Sequence, residues 1–147
     1  MRDRNAPALI AEAVGTFLFF FVGMGSVVLG TYLAYNGGTS PGLLSVALAH
    51  GLALAVLVSA LGPVSGGHFN PAVTLAAWIM GKVTPMRAGL YVVAQLIGAL
   101  GAGFALKAVF PDAWQATNIG SPALGAGISP TIGIGIEACS PRCSCSW

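Results

Sequence analysis

The feature that most constrains this chain is a run of 69 residues, from Ala13 to Gly81, that contains no Asp, Glu, Lys or Arg. Soluble domains carry about 25% charged residues, whereas this chain carries 7%, so the run belongs in lipid. Within it, residues 62–71 (GPVSGGHFNP) are too rich in turn-forming residues to be another spanning helix. Non-helical backbone at membrane depth is tolerated only where protein covers it or where it lines an aqueous cavity. The sequence therefore predicts a re-entrant element, which is typical of pores and transport sites.

Composition excludes several classes of function. The chain has 147 residues, 56% of them hydrophobic, and a formal net charge of +2. The fold class indicated is an all-α membrane protein, and so small a charge argues against a nucleic-acid partner. No nucleophile, base and orienting acid are spaced to converge, so we expect no enzyme, cofactor or metal. Arg2 and Arg4 before an apolar stretch resemble a signal peptide, but Asp3, Glu12 and the length of the stretch favour a spanning helix.

Three segments are long and apolar enough to span a hydrocarbon core of roughly 30 Å. They cover about residues 7–32, 43–61 and 86–109. We expect the Gly-Pro pair at 62–63 to end the second segment, because proline breaks a helix. A fourth apolar segment begins at about residue 131.

Between the second and third segments, residues 71–80 are apolar but too few to span. As a helix they would cover ~15 Å, which is half of a ~30 Å hydrocarbon core. Asn70 is a preferred N-cap residue, and Pro71 suits the first helical position. We therefore predict a half-helix that enters the bilayer and returns; a short helix lying in the membrane interface is the alternative.

Orientation follows from the basic residues near the membrane. If the three segments span in turn and the half-helix re-enters, Arg2, Arg4, Lys82 and Arg87 fall on one side, and only Lys107 falls on the other. The N-terminus is therefore predicted to be cytoplasmic, in a multi-pass protein whose particular membrane the sequence does not indicate.

The half-helix would direct its N-terminus, with about half a positive charge, at the membrane centre. There the Asn70 amide can donate hydrogen bonds into a lumen, provided that its oxygen caps the helix. Just before it, the carbonyls of Gly66, Gly67 and His68 can form a ladder of acceptors, since glycine lets backbone approach a pore closely. Positive potential with fixed donors would orient small neutral solutes and repel cations and protons. For an isolated Asn-Pro-Ala, a capped helix start without function is the alternative.

Residues 65–75, SGGHFNPAVTL, resemble the first signature loop of the aquaporin, or major intrinsic protein, family. Two further residues support the resemblance: Glu12 within AEAVGT and Gln95 within YVVAQLIG. The resemblance covers about residues 7–138, so that residues 1–138 would form the N-terminal half of such a channel. It implies six tilted helices and two half-helices in an inverted repeat, with one pore per subunit and a homotetrameric assembly.

The resemblance also implies roles for individual residues. Glu12 and Gln95 would hydrogen-bond the irregular backbone of the loop. For Glu12 this agrees with the cost of a carboxyl group in a membrane segment; a position at the headgroup boundary is the alternative. The permeating species would be water or other small neutral solutes. The residues lining the pore would be Gly66, Gly67, His68, Asn70, Pro71 and Ala72.

His50 is the second ionisable residue at membrane depth, and such groups are candidates for function. The more common role of a lone histidine is packing with a hydrogen bond. The resemblance aligns His50 with the second-segment position of the narrow selectivity constriction. Histidine there is typical of plant vacuolar-membrane members, which pass water and often ammonia, peroxide or urea, so it implies a more polar constriction.

The last residues depart from the family pattern. A second Asn-Pro-Ala and its following arginine are absent from the sequence, and a weak repeat of the first segment around Glu137 leads into an atypical cysteine-rich tail at 139–147. We expect a frameshift or truncation to have replaced the native continuation and to have left the chain inactive. Palmitoylation and a disulfide are the alternatives for the tail, whereas a thiolate metal site lacks a fourth ligand.

The residues alone leave two other functions open. One is a non-conducting membrane subunit, or truncation product, that interacts with complete family members. The other is a secondary transporter with a broken helix. The transporter is disfavoured because no carboxylate for ion coupling lies between Ala13 and Gly81.

Overall fold

The computed structural model describes residues 5–112 and 129–132, and the regular structure within them is helical. The segment expected from residue 131 is described only as a helical turn at 130–132, and Glu137 and the tail at 139–147 lie outside the described residues. In chain order the helices are α1 (Asn5–Tyr35), α2 (Gly42–Ser65), α3 (Pro71–Ile79) and α4 (Pro85–Val109).

Helices α1, α2 and α4 are each able to cross a membrane by length and composition. They have 31, 24 and 25 residues, with mean hydropathies of 2.0, 2.2 and 1.8 over their apolar windows, and a span needs roughly 20 residues. Helix α3 has only 9 residues and covers ~14 Å. The prediction of an all-α membrane protein with three long apolar helices is confirmed.

Helix α1 is central to the packing, because it contacts both α2 and α4, while α3 packs against α4. The approach of α1 to α4 is close where α4 has a glycine. A Cβ atom on Gly98 would overlap the carbonyl oxygen of Ala13 and lie 3.0 Å from the amide nitrogen of Phe17. Small residues permit such approaches between membrane helices. This crossing brings the middle of α4 against the first half of α1.

The structure corrects the expected end of the second spanning helix. Helix α2 continues through Pro63 to Ser65, whereas the Gly-Pro pair was expected to end it at about Leu61. The helix ends where Gly66 adopts a left-handed φ of 101° and donates its N–H to the Gly62 carbonyl at 2.8 Å. A proline inside a helix removes one backbone hydrogen bond, but membrane helices tolerate this loss better than soluble ones.

Helix α3 is short because both of its ends are capped. At the start, Asn70 is extended and its side-chain oxygen accepts the N–H of Ala72 at 2.8 Å. At the end, Gly81 has a φ of 69°, and the N–H of Lys82 reaches back to the Ala77 carbonyl at 2.8 Å. The sequence therefore sets a start and a stop within one short segment, and α4 begins shortly afterwards.

Candidate functional site

The candidate site is the loop of residues 66–70, which joins α2 to α3. Three of its residues have positive φ: Gly66 at 101°, Gly67 at 67° and Phe69 at 47°. The left-handed region costs roughly 1–2 kcal/mol for a residue with a side chain, so Phe69 needs support from its surroundings. Its ring is 1% exposed and fills the space that a Cβ on Gly15 would occupy. Helix α1 thus holds the loop in an otherwise unfavourable conformation.

Glu12 is completely buried and accepts four hydrogen bonds. Its Oε1 atom accepts from the Ser65 hydroxyl at 2.6 Å and from the His68 N–H at 3.0 Å. Its Oε2 atom accepts from the Phe69 N–H at 2.7 Å and from the Gln95 amide at 2.8 Å. Four convergent donors match the acceptor-only character of a carboxylate. Glu12 therefore connects α1 with the end of α2, with the loop and with α4.

Thr74, a buried residue of α3, forms hydrogen bonds with the loop and with α4. Its hydroxyl donates to the Asn70 carbonyl at 3.1 Å, the Gln95 amide donates to it at 2.9 Å, and His68 Nδ1 lies 3.1 Å away. A hydroxyl has a single proton to donate and that of Thr74 goes to Asn70, so His68 Nδ1 donates to Thr74. One acceptor is left over, because Gln95 Oε1 is buried without a hydrogen-bond partner among the described residues.

Tyr91 braces the end of α2 from α4. Its side chain is 1% exposed, its hydroxyl donates to the Ser65 carbonyl at 2.7 Å, and its ring meets the His68 ring edge-on at 5.4 Å between centroids. The Arg87 guanidinium donates twice to the Tyr91 hydroxyl, from Nε at 3.2 Å and from Nη2 at 2.9 Å. A basic residue at the start of α4 is therefore linked to the loop through one phenol group.

Replacement of Tyr91 by phenylalanine should lower the free energy of unfolding by about 1–2 kcal/mol, because the buried Ser65 carbonyl would lose its donor. SDS-induced unfolding in mixed micelles, followed by far-UV circular dichroism, measures the loss. Tyr32→Phe is the matched control: Tyr32 is 41% exposed, so its variant should stay within about 0.5 kcal/mol of the original chain. Equal losses in the two variants would contradict the brace.

The residues predicted to line a pore lie on the open side of the loop. Gly66, Asn70 and Ala72 are exposed, and Gly67 and His68 are partly exposed, as is Pro71. The Asn70 side-chain oxygen is taken by the cap on Ala72, which leaves its amide group with two donors for another partner. The loop thus has one face that is hydrogen-bonded to Glu12 and another face that includes the Asn70 amide donors.

His50 lies apart from this cluster, roughly 22 Å along α2 from Ser65. Its Nδ1 atom lies 2.8 Å from the Val46 carbonyl, its ring meets Phe19 edge-on at 5.9 Å, and Gly23 leaves space for its Nε2 atom. A carbonyl oxygen can only accept, so Nδ1 is the donor of this hydrogen bond. The structure therefore orients His50 but does not bring it to the loop.

Sequence reasoning identified Glu12 and Gln95 but missed four partners of the loop. Ser65, Thr74, Tyr91 and Arg87 complete the cluster in the structure. The available signals were weak: Arg87 and Tyr91 are four residues apart on one helix, a spacing that favours contact. A tyrosine within an apolar helix also needs a partner for its hydroxyl when it is buried.

The fold and the loop define a multi-pass membrane protein with a short, capped helix between its second and third spanning helices. Residues 2–139 match the family described as major intrinsic protein. The chain belongs to the major intrinsic protein family.

The relatives that it resembles are named aquaporins. It is 46% identical over 132 residues to aquaporin TIP4-4 of Zea mays, covering 89% of this chain and 51% of that protein. It is 52% identical over 99 residues to probable aquaporin TIP3-2 of Arabidopsis thaliana, covering 63% and 37%, and 43% identical over 104 residues to aquaporin-5 of Homo sapiens, covering 71% and 37%. The chain spans about half the length of the relatives it matches, or less.

Proposed function

We propose that residues 1–138 form the first half of a channel for passive passage of water and other small neutral solutes. The observation that carries this proposal is the loop of residues 66–70, which Glu12 holds by its inner face and which leaves Asn70 and Gly66 exposed on the other. Membership in the major intrinsic protein family supports the same function.

The proposed selectivity comes from the electrostatics of α3. The N-terminus of a helix carries about half a positive charge, and the Asn70 amide adds two donors at that point. A water molecule or another neutral dipole would accept from Asn70 and donate to the loop carbonyls of Gly66, Gly67 and His68. Cations and protons would be repelled by the same potential. Because Glu12 fixes the loop, these groups would need no rearrangement for each passing molecule.

His50 is proposed to belong to the selectivity constriction. Its ring is held by the Val46 carbonyl and is partly exposed, so the exposed part of the ring would face a solute. A polar ring there would admit ammonia, peroxide or urea beside water, because each of these can form hydrogen bonds.

The proposed channel has its N-terminus in the cytoplasm and assembles as a homotetramer, with residues 139–147 as a tail outside the channel half. Its pore needs a second half-helix opposite α3. The described residues supply one such half-helix, α3, and are expected not to conduct by themselves.

A chimera tests the function directly. Residues 1–138 are joined to the second half of aquaporin TIP4-4 of Zea mays and reconstituted in proteoliposomes, and osmotic shrinkage is followed by stopped-flow light scattering. We expect the chimera to shrink severalfold faster than empty vesicles and the 147-residue chain to match them. Asn70→Asp is the matched variant: aspartate also caps helices well, but it replaces the amide donors with a negative charge, so its rate should fall to that of empty vesicles.

Two outcomes of this experiment would contradict the proposal. A folded chimera that leaves permeability unchanged would exclude a channel role for the first half. A chimera with Asn70→Asp that conducts as fast as the unsubstituted chimera would exclude the donor role of Asn70.

A second candidate function is that of a non-conducting subunit which associates with complete family members. It is favoured by α2, of whose most apolar window only 6% is buried, and by an apolar groove of about 460 Å³ between α1 and α2, lined in part by Leu18, Val22, Leu52 and Val56. A lowered water flux of a complete relative on co-expression with this chain would favour this second function.

A further inference from the structure

A separate cavity of about 280 Å³ lies at the start of α4, outside the loop that the proposed channel uses. Two basic residues, Lys82 and Arg87, line it together with Thr84 and Asn5. Within residues 5–112 and 129–132 the carboxylates are Glu12 and Asp112. Glu12 is buried against the loop, and Asp112 follows α4 at its other end, roughly 37 Å away along the helix. Neither carboxylate neutralises the two cations.

One wall of this cavity is fixed in place. The Arg87 guanidinium is held by two hydrogen bonds to the Tyr91 hydroxyl and lies over the Tyr91 ring, 5.2 Å from its centroid. A guanidinium carries five N–H donors, so three remain for another partner. The Lys82 ammonium has no side-chain hydrogen bond or ion pair with the described residues. The cavity therefore presents one guanidinium that is held in place and one ammonium that no described residue holds.

The same cavity opens onto an apolar face of α4. Met86 and Leu90 line the cavity and begin a row of side chains spaced by three or four residues, all on one face of the helix. Each of them is between 39% and 77% exposed. From Met86 to Ile97 the row is roughly 16 Å long, the depth of one half of a ~30 Å hydrocarbon core. The row consists of Met86, Leu90, Val93, Ile97, Leu100 and Phe104.

We propose that this surface binds one anionic phospholipid, with its phosphate in the cavity and an acyl chain along the row on α4. The positive charge is greater at this end of the row, which has Lys82 and Arg87, than at the other, which has Lys107. The Thr84 hydroxyl adds a neutral donor for a phosphate oxygen. Anionic lipid is attracted by about 1 kcal/mol for each nearby basic residue, which corresponds to a factor of roughly five.

Native mass spectrometry of the full chain in detergent tests this site. The probes are phosphatidylglycerol and phosphatidylcholine with the same acyl chains. We expect the chain to retain phosphatidylglycerol in preference, and Lys82→Gln to lower that preference roughly fivefold. Arg87→Gln should lower it by a similar factor, whereas Arg87→Lys, which keeps the charge, should preserve most of it. Lys107→Gln is the matched control, because it removes one positive charge from the opposite end of α4, and its preference should be unchanged.

Arg87 is joined to the loop through Tyr91, so its substitution can also disturb folding. Lys82 is exposed, so Lys82→Gln tests the site without that effect. The proposal is overturned if Lys82→Gln leaves the preference unchanged or if Lys107→Gln lowers it equally. It is also overturned if inorganic phosphate or glycerol 3-phosphate displaces the lipid at millimolar concentration, since that would indicate a site for soluble anions. The proposal is overturned as well if the chimera with the second half of aquaporin TIP4-4 loses the preference for phosphatidylglycerol. That result would show that protein, and not lipid, covers the row on α4.

Discussion

Replacing Glu12 with alanine is expected to lower the free energy of unfolding by about 4 kcal/mol. The change removes the acceptor of four hydrogen bonds in a buried site and leaves two backbone N–H groups of the loop without a partner. Each buried donor that loses its acceptor costs roughly 1–3 kcal/mol, and water reaches this part of the chain poorly, because Glu12 is 0% exposed. SDS-induced unfolding in mixed micelles gives the loss, and hydrogen exchange at the amides of His68 and Phe69 should become faster.

Glu12→Gln keeps the volume of the side chain but reduces the number of hydrogen bonds that residue 12 can accept. Glutamine keeps one acceptor oxygen, which can serve Ser65 and His68, but turns an NH₂ group towards Phe69 and Gln95. The Gln95 amide can rotate and offer its Oε1 atom, which is unpartnered among the described residues, but it then gives up its hydrogen bond to Thr74, and the Phe69 N–H stays unpaired. We therefore expect a loss of about 2 kcal/mol. A Glu12→Gln chain as stable as the original would show that a neutral side chain suffices there.

Gly98→Ala should cost about 2–3 kcal/mol, at the upper end of what overpacking usually costs. The added Cβ would overlap the carbonyl oxygen of Ala13, and this is backbone of α1, which cannot move aside as a side chain does. The two helices must separate, which also moves Gln95 away from Glu12. The same unfolding titration measures the effect, with loop hydrogen exchange as the second readout.

The matched control for Gly98 is another glycine of the same helix. A Cβ on Gly103 meets nothing within 4 Å, so Gly103→Ala should be neutral or should stabilise α4 by up to about 1 kcal/mol through helix propensity. Equal effects of the two substitutions on the free energy of unfolding would contradict the claim that Gly98 permits the close contact between α1 and α4.

The fold followed from the sequence because its signals are local. The absence of charge over Ala13 to Gly81 predicts spanning helices without any knowledge of their packing, and Asn70 with Pro71 marks the start of a helix too short to span. The end of α2 was mistaken because a proline is ambiguous in a membrane helix. Whether Pro63 stops a helix depends on its surroundings, whereas Gly66 stops it through its own φ.

The candidate site was only partly predictable, since its contacts join residues far apart in the chain. Glu12 and Gln95 were named from a resemblance, and the structure shows which atoms they contact. The parts played by Ser65 and Tyr91 could not be derived beforehand, because they depend on where the end of α2 meets α4. The pore-lining role of the loop carbonyls and the constriction role of His50 stay predictions.

The spacing of the Glu12 hydrogen bonds along the chain bears on how this protein enters a bilayer during its synthesis. The four donors follow Glu12 by 53, 56, 57 and 83 residues. At roughly 5–20 residues per second, a ribosome makes the last of them about 4–17 s after Glu12. Through that interval, α1 lies in the translocon or in lipid, and Glu12 lacks some of its final hydrogen-bond donors. The apolar residues around Glu12 favour insertion of the helix despite this. The first helix thus gains its last hydrogen-bond donor only after the third spanning helix has arrived, so folding around Glu12 is completed after α4 is made.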